Sequence, residues 1–144
     1  MRSVLPSPLL RGALVLDAVV SAASGLLQLA LGATAAAWLG LPLALLTETG
    51  VFMLVYAAVL ALLARSRGLA VPLVQGVVGA NLLWAAASLA IVLAGPSLGL
   101  AGIRTLGTVW LLMNLASVSL FAALQLAGLQ RSAPAPAQPG LARS

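Results

Sequence analysis

The 144-residue chain contains no cysteine, no histidine and no lysine, and its only acidic residues are Asp17 and Glu48. The lack of cysteine excludes disulfide bonds and thiol chemistry. Two carboxylates alone are too few to hold a transition metal or a haem, so we expect neither a metal site nor a cofactor. Nucleophilic catalysis also needs a base beside the nucleophile. Because the two acids fall toward opposite faces of the membrane and cannot share acid–base work, the sequence predicts a protein that is not an enzyme.

Charged residues of both signs are scarce as well. They make up 6% of the chain, against about 25% in soluble domains. Hydrophobic residues make up 62%, and the mean hydropathy is +1.17. A domain of this size cannot hide so much apolar surface from water, so the sequence predicts a protein whose main partner is the lipid bilayer. Seven arginines give a net charge of +5, but they are scattered without interleaved aromatics, which argues against nucleic-acid binding.

Four continuous apolar stretches each supply the roughly 20 residues that a membrane-spanning helix needs. They cover about residues 9–31, 43–64, 72–94 and 105–129, and the first could continue through the alanine-rich residues 33–37. The connections are short, which makes sequence neighbours pack antiparallel. We therefore predict an all-α polytopic membrane protein in which residues 1–131 form an antiparallel bundle of four transmembrane helices. The segments are too long and too uniformly apolar for a membrane β-barrel.

The distribution of arginine predicts the orientation. An even number of spans places six arginines on one side, which should be the cytoplasm by the positive-inside rule: Arg2, Arg11, Arg65, Arg67, Arg131 and Arg143. Only Arg104 falls on the other side. We expect a multi-pass protein of the inner (plasma) membrane with both termini cytoplasmic, and residues 132–144, rich in proline and alanine, as a disordered tail. Cleavage of a signal peptide near residues 33–35 is an alternative that would leave three helices.

Asp17 is the strongest candidate for a functional residue, because ionisable side chains inside a span are rare and costly. Asp17, Ser21, Ser24 and Gln28 follow the helical repeat and share one face. In one interpretation they form a polar track that takes up a proton or a cationic ligand. In the other they form a packing seam, with Asp17 hydrogen-bonded to a neighbour or paired with Arg65 or Arg67.

Three more polar side chains lie near the middle of the later spans: Tyr56, Asn81 and Asn114. Asn114 shares a helix face with Ser117, Phe121 and Gln125. Buried amides in lipid seek one another and hold helices together. These residues either line a small polar pocket or fix the register of the helices.

Glu48 and Arg104 fall at the same predicted end of the bundle. We expect them to form an ion pair at the interface or to gate an outer entrance, although Glu48 could simply favour the positive end of its helix. Gly76 and Gly79 are expected to mark close packing of the third helix.

The layout resembles small four-helix bacterial inner-membrane proteins of unassigned function. The residues that carry the resemblance are Leu16-Asp17-Ala18, the turn at residues 38–42, and Asn81-Leu82-Leu83-Trp84, within a likeness that covers about residues 9–130. It implies no particular chemistry. The chain is also similar to small multidrug-resistance exporters in its four short helices and its acid in the first helix, but their acid is a glutamate and their helix-three pattern is missing here.

Two functions follow from these observations. The first is a non-enzymatic membrane protein that serves as an accessory or structural subunit, bound to a partner membrane protein or to copies of itself. The second is a small proton-coupled transporter, in which Asp17 exchanges protons for a cationic or lipophilic substrate.

Overall fold

A computed structural model describes residues 3–135. Four long helices account for most of this range: α1 (Pro8–Leu39), α2 (Leu43–Arg65), α3 (Val71–Ala94) and α4 (Thr105–Gln130). Each is long and apolar enough to cross a membrane. The prediction of four long apolar helices is thus confirmed, and α1 does continue through the alanine-rich segment that follows residue 31.

The ends of α1 follow from its sequence. The Ser7 hydroxyl accepts a hydrogen bond from the Leu10 amide at 3.2 Å, as expected of an N-cap serine, and Pro8 occupies the first turn, where it needs no donor. Gly40 closes the helix in the left-handed conformation with φ of 69°. Within the helix, Gly32 has φ of 42° and ψ of −117°, a conformation open essentially to glycine alone. The α1 helix is therefore two helical segments joined at Gly32.

Helix α1 packs against both α2 and α4, and α3 packs against α4. All of these pairs run antiparallel, because residues near the start of one helix contact residues near the end of the next. Glycines permit two of the closest approaches. A β-carbon on Gly25 would lie 2.7 Å from the carbonyl oxygen of Gly50 in α2, and one on Gly128 in α4 would lie 2.6 Å from the amide nitrogen of Leu10.

Three short strands were not predicted by the sequence. These are β1 (Ser3–Leu5), β2 (Leu69–Ala70) and β3 (Ala133–Pro134), which pair antiparallel in the order β2–β1–β3. They join the N-terminal segment, the α2–α3 connection and the segment after α4. We call this end of the bundle the sheet end, and the opposite end, at the α1–α2 turn, the turn end. The prediction of a disordered tail from residue 132 is wrong for Ala133 and Pro134, and residues 136–144 lie outside the described range.

Apolar side chains fill much of the core and also cover the outside of the bundle. The outer face is covered by large apolar side chains, with Leu83 at 72% exposure and Leu93 at 75%, whereas the polar residues Asp17 and Gln125 are fully buried. Gly76 and Gly79 contradict our expectation of close packing, because a β-carbon at either position would meet nothing within 4 Å. They lie on the exposed face of α3.

Candidate functional site: a buried polar cluster

The centre of the site is the Asp17 carboxylate, which is fully buried within the bundle. One of its oxygens, Oδ2, accepts hydrogen bonds from Asn81 Nδ2 and Gln125 Nε2, both at 2.8 Å. The other, Oδ1, accepts a bond from the Ser21 hydroxyl at 3.1 Å. We call Asp17, Ser21, Tyr56, Asn81 and Gln125 the polar cluster. It draws at least one side chain from each of the four helices.

The cluster is closed by bonds among its own members. Asn81 Nδ2 also donates to the side-chain Oε1 of Gln125 at 3.2 Å, which links α3 to α4 directly. Among the described residues, no buried side-chain nitrogen or oxygen lacks a hydrogen-bond partner. Since an unsatisfied buried polar group costs roughly 1–3 kcal/mol, the cluster fixes the relative register of the helices.

Tyr56 is held less tightly than the other members. Its half-buried hydroxyl lies 3.5 Å from Asp17 Oδ2 and 3.4 Å from the backbone carbonyl oxygen of Val77. Hydroxyl hydrogen bonds are ordinarily about 2.7–2.8 Å long. The Tyr56 hydroxyl is therefore farther from both acceptors than in an ordinary hydrogen bond, so it binds Asp17 only weakly.

A void of about 20 Å³ lies beside Tyr56; Ser21 and Asn81 also border it, and the rest of its wall is apolar. Three aromatic rings stand beside it: Phe52 stacks on Tyr56 with ring centroids 6.0 Å apart and on Trp84 with centroids 5.5 Å apart. The stacked rings connect α2 with α3. The void has room for about one water molecule or a dehydrated ion of similar size.

Only part of the predicted polar track of α1 belongs to this cluster. Ser21 bonds to Asp17, but Gln28 lies toward the turn end and forms a separate pair of contacts with α2. Its side-chain Oε1 accepts from the Thr49 hydroxyl at 2.7 Å, and its Nε2 donates to Met53 Sδ at 3.2 Å. The structure therefore divides the track into two sites of contact between helices.

Ser24 and Asn114 do not reach Asp17 either. Both line a cavity of about 270 Å³ between α1 and α4, whose wall also includes Ser21 and Trp110. Asn114 Nδ2 donates to the Trp110 carbonyl oxygen in its own helix at 2.9 Å. Of the three mid-span residues predicted from the sequence, the structure thus joins Tyr56 and Asn81 to Asp17 and leaves Asn114 on a separate surface.

The arginines considered as partners for Asp17 do not provide its hydrogen bonds. Arg65 and Arg67 are exposed at the sheet end. Arg11, closer along α1, instead donates to the carbonyl oxygens of Ala64 and Ser66, each at 3.0 Å. It caps the end of α2, where helix carbonyls lack partners. The groups that hydrogen-bond to Asp17 are all uncharged.

Glu48 and Arg104 both lie at the turn end, with exposed side chains. Arg104 immediately precedes α4, and its amide donates to the Leu39 carbonyl oxygen at 3.0 Å. The pairing of the Glu48 and Arg104 side chains stays a prediction.

Gln125 is the member of the cluster that sequence reasoning did not select. It was placed on one helix face with Asn114, but Asn114 was chosen as the candidate because it lies nearer the middle of its span. The positions of the residues along their helices could have identified Gln125. Gln125 is close to the sheet end of α4, as Asp17 is close to the sheet end of α1. Counting residues from that end places Gln125 nearer the level of Asp17 than Asn114 is.

The cluster places a single carboxylate in the buried interior of the bundle. Residues 3–135 include no group of three histidine, cysteine, aspartate or glutamate side chains that could bind a metal ion. Around the one carboxylate stand neutral groups, each of which offers an oxygen as well as a donor. Comparison with protein-family models, with curated proteins and with solved structures finds no match to this chain.

Proposed function

We propose that the chain is an integral membrane protein that crosses a lipid bilayer four times. The observation that carries this proposal is the apolar outer surface: large apolar side chains cover the outside of α1–α4, whereas the residues of the polar cluster are turned inward. In water such a surface would drive aggregation, whereas in lipid it is the stable arrangement.

Single cysteines test this proposal cleanly, because the natural chain has none. In intact membranes, a Leu83→Cys variant should not react with a water-soluble maleimide although Leu83 is 72% exposed in the structure. The matched control, Ser97→Cys in the exposed α3–α4 connection, should react. If Leu83→Cys reacts as fast as Ser97→Cys, or if the purified chain stays monodisperse in buffer without detergent, the proposal fails.

The sheet end faces the cytoplasm in this proposal. The segments before α1, between α2 and α3 and after α4 meet there, and they carry most of the arginines, which cytoplasmic loops favour. We propose the bacterial inner membrane as the setting, as the resemblance in layout implies. A maleimide added to whole cells should therefore label Ser97→Cys but not Arg67→Cys, and the reverse pattern would contradict the orientation.

Within the membrane, the role we propose is that of a non-enzymatic accessory or structural subunit, bound to a partner membrane protein or to copies of itself. The support is that the polar cluster is satisfied within one chain, so that Asp17 serves to hold the helices. The exposed glycines Gly76 and Gly79 leave a face of α3 that a second helix could approach closely.

This role predicts that Asp17→Asn, which keeps one acceptor oxygen, leaves assembly and partner binding nearly intact. Co-purification from native membranes in mild detergent measures both. Loss of a partner or of the oligomer in Asp17→Asn, with a folded monomer remaining, would contradict a purely structural Asp17.

A small proton-coupled transporter remains the second candidate. The 270 Å³ cavity between α1 and α4 favours it, because Ser21 both lines that cavity and bonds to Asp17. Here Asp17→Asn should abolish proton-driven uptake of a lipophilic cation into vesicles while the protein remains folded. Unchanged uptake in that variant would exclude the transporter.

A further inference from the structure

Helices α1 and α4 touch at both ends of the bundle and leave a space between these contacts. At the sheet end, Gly128 lies against the backbone of Leu10. At the turn end, Gly107 lies against the carbonyl oxygen of Leu39, which also accepts a hydrogen bond from the Arg104 amide at 3.0 Å. The cavity of about 270 Å³ lies between the two contacts, and we call it the α1–α4 cavity. Because both contacts involve backbone atoms, the spacing of the helices is fixed on either side of it.

Hydrogen-bonding side chains line this cavity from both helices. Ser21 and Ser24 belong to α1, and Asn114 and Ser117 belong to α4. Asn114 Nδ2 donates to the Trp110 carbonyl oxygen at 2.9 Å, but a carboxamide nitrogen carries two hydrogens, so the side chain retains a second N–H. Because hydrocarbon offers no hydrogen-bond partner inside a membrane, these groups favour an occupant that brings polar atoms of its own.

The rest of the wall favours a neutral, partly apolar occupant with a flat ring. None of the described residues around the cavity is charged, so a neutral molecule avoids the cost of burying an unpaired charge. Trp110 and Phe121 both line the cavity, and aromatic side chains pack well against flat rings. Ligand pockets commonly measure about 300–1,000 Å³. The smaller volume here suits a single ring system rather than a whole lipid.

A second space continues the cavity along α1 toward the turn end. It measures about 190 Å³ and shares Ser24, Leu27 and Trp110 with the cavity. Its wall extends to Trp38, near the end of α1. A phospholipid entering from the turn end would lay an apolar chain against the hydrogen-bonding side chains and leave them without partners. The arrangement suits a molecule whose polar head lies deep and whose apolar tail follows the second space.

We propose that the α1–α4 cavity binds the head of a membrane quinone, which is a neutral, flat ring with two carbonyl oxygens and an apolar tail. One carbonyl oxygen accepts a hydrogen bond from the Ser24 hydroxyl on α1, and the other accepts from the second N–H of Asn114 on α4. The ring packs against Trp110, and the tail extends toward Trp38. This binding site goes beyond the accessory role and rests on the proposed position of the helices in lipid.

The fluorescence of Trp110 measures this binding, because a quinone ring quenches an indole that it contacts. The chain has three tryptophans, and the double variant Trp38→Phe/Trp84→Phe keeps Trp110 alone; neither substituted position lines the cavity. The full-length double variant, in a mild detergent at fixed concentration, is titrated with decylubiquinone, a benzoquinone with a decyl tail. Quenching should saturate at an equimolar ratio. Addition of 1-decanol, which has the tail without the ring, should leave the quenching unchanged.

Two further substitutions connect the quenching to the cavity. Ser24→Ala and Asn114→Leu each remove one hydrogen bond to the quinone and should each raise its Kd roughly fivefold. The matched control is Ser119→Ala, on the exposed face of α4 and outside the cavity, which should keep the Kd of the parent. If the double tryptophan variant does not fold, the rise in unfolding temperature that decylubiquinone causes in the natural chain gives the same comparison.

Quenching that increases without saturation would show only that the quinone partitions into the micelle, and it would overturn the proposal. An equal Kd in Ser24→Ala and Ser119→Ala would overturn it as well. Displacement of the quinone by 1-decanol at a similar concentration would show that the cavity takes an apolar chain, which overturns the assignment of a quinone. None of these results bears on whether Leu83→Cys is shielded in membranes, so failure of the quinone site is distinguishable from failure of the proposed function.

Discussion

The crossing of α1 and α2 at Gly25 and Gly50 gives the sharpest test of the packing. In Gly25→Ala the new methyl group would lie 2.7 Å from the Gly50 carbonyl oxygen and 3.2 Å from Leu54 Cδ2. The first of these neighbours is backbone, so relief requires the two helices to move apart. Overpacking of this kind costs about 1–3 kcal/mol. The intrinsic helical preference of alanine over glycine returns about 1 kcal/mol in the same variant.

Gly76→Ala, measured on the monomer, is the matched control, because a β-carbon there meets nothing of its own chain within 4 Å and only the helical preference changes. We expect Gly25→Ala to be about 1–3 kcal/mol less stable than Gly76→Ala, with Gly50→Ala between them, since its methyl group would meet side-chain atoms of Leu29 at 3.1–3.2 Å. Reversible unfolding in mixed micelles, followed by circular dichroism, measures all three free energies of unfolding. Equal stability of Gly25→Ala and Gly76→Ala would refute the close crossing of α1 and α2.

Three further substitutions test other parts of the fold in the same assay. Gly32→Ala should cost about 1–3 kcal/mol, because its φ of 42° strains any residue with a β-carbon; an unchanged free energy would mean that α1 has no break there. Ser7→Ala removes both the N-cap of α1 and a 2.7 Å bond to the Gly128 carbonyl oxygen, for an expected loss of about 1–2 kcal/mol. Gln125→Leu should cost about 1–3 kcal/mol by removing a donor to buried Asp17, whereas Asn114→Leu, which breaks only a bond within α4, should cost less; the reverse order would contradict the assigned cluster.

The helices could be predicted because hydrophobic runs of about 20 residues are a strong local signal. The break at Gly32 could not, since an isolated glycine within an apolar run also occurs in unbroken helices. The three strands were missed for a different reason. They are two or three residues long and depend on pairing between Ser3–Leu5 and segments far along the chain, which no local pattern encodes.

The site could be predicted in part. Asp17 and Tyr56 each lie nine residues from the sheet end of their helices, and Asn81 lies ten from it, so a common depth would have grouped them. Asn114 lies 16 residues from that end of α4, about 10 Å further along the bundle at 1.5 Å per residue. Helical periodicity shows which face of a helix a residue lies on but not how far along the bundle it lies. Gln125 and Asn114 share a face, and only their positions along α4 distinguish them.

Gln28 shows within one helix that residues on the same face can have different partners. It shares a face with Asp17, yet three turns along α1 that face no longer meets the same neighbours, and Gln28 finds Thr49 and Met53 of α2. The partners of a polar stripe depend on how the helices cross. That crossing is set at glycines such as Gly25 and Gly50, whose importance shows only when the two helices are seen together.

The small sheet imposes an order on how the protein is made. Strand β1 is synthesised first, but one of its two neighbours, β3, leaves the ribosome only after all four helices. The pairing of Val4 with Pro134 and of Leu5 with Ala133 can therefore form only after all four helices have been synthesised. Until then the edge of β1 that will meet β3 has open backbone groups, and a nascent chain stalled before residue 133 would expose them to whatever chaperone or neighbouring strand is at hand.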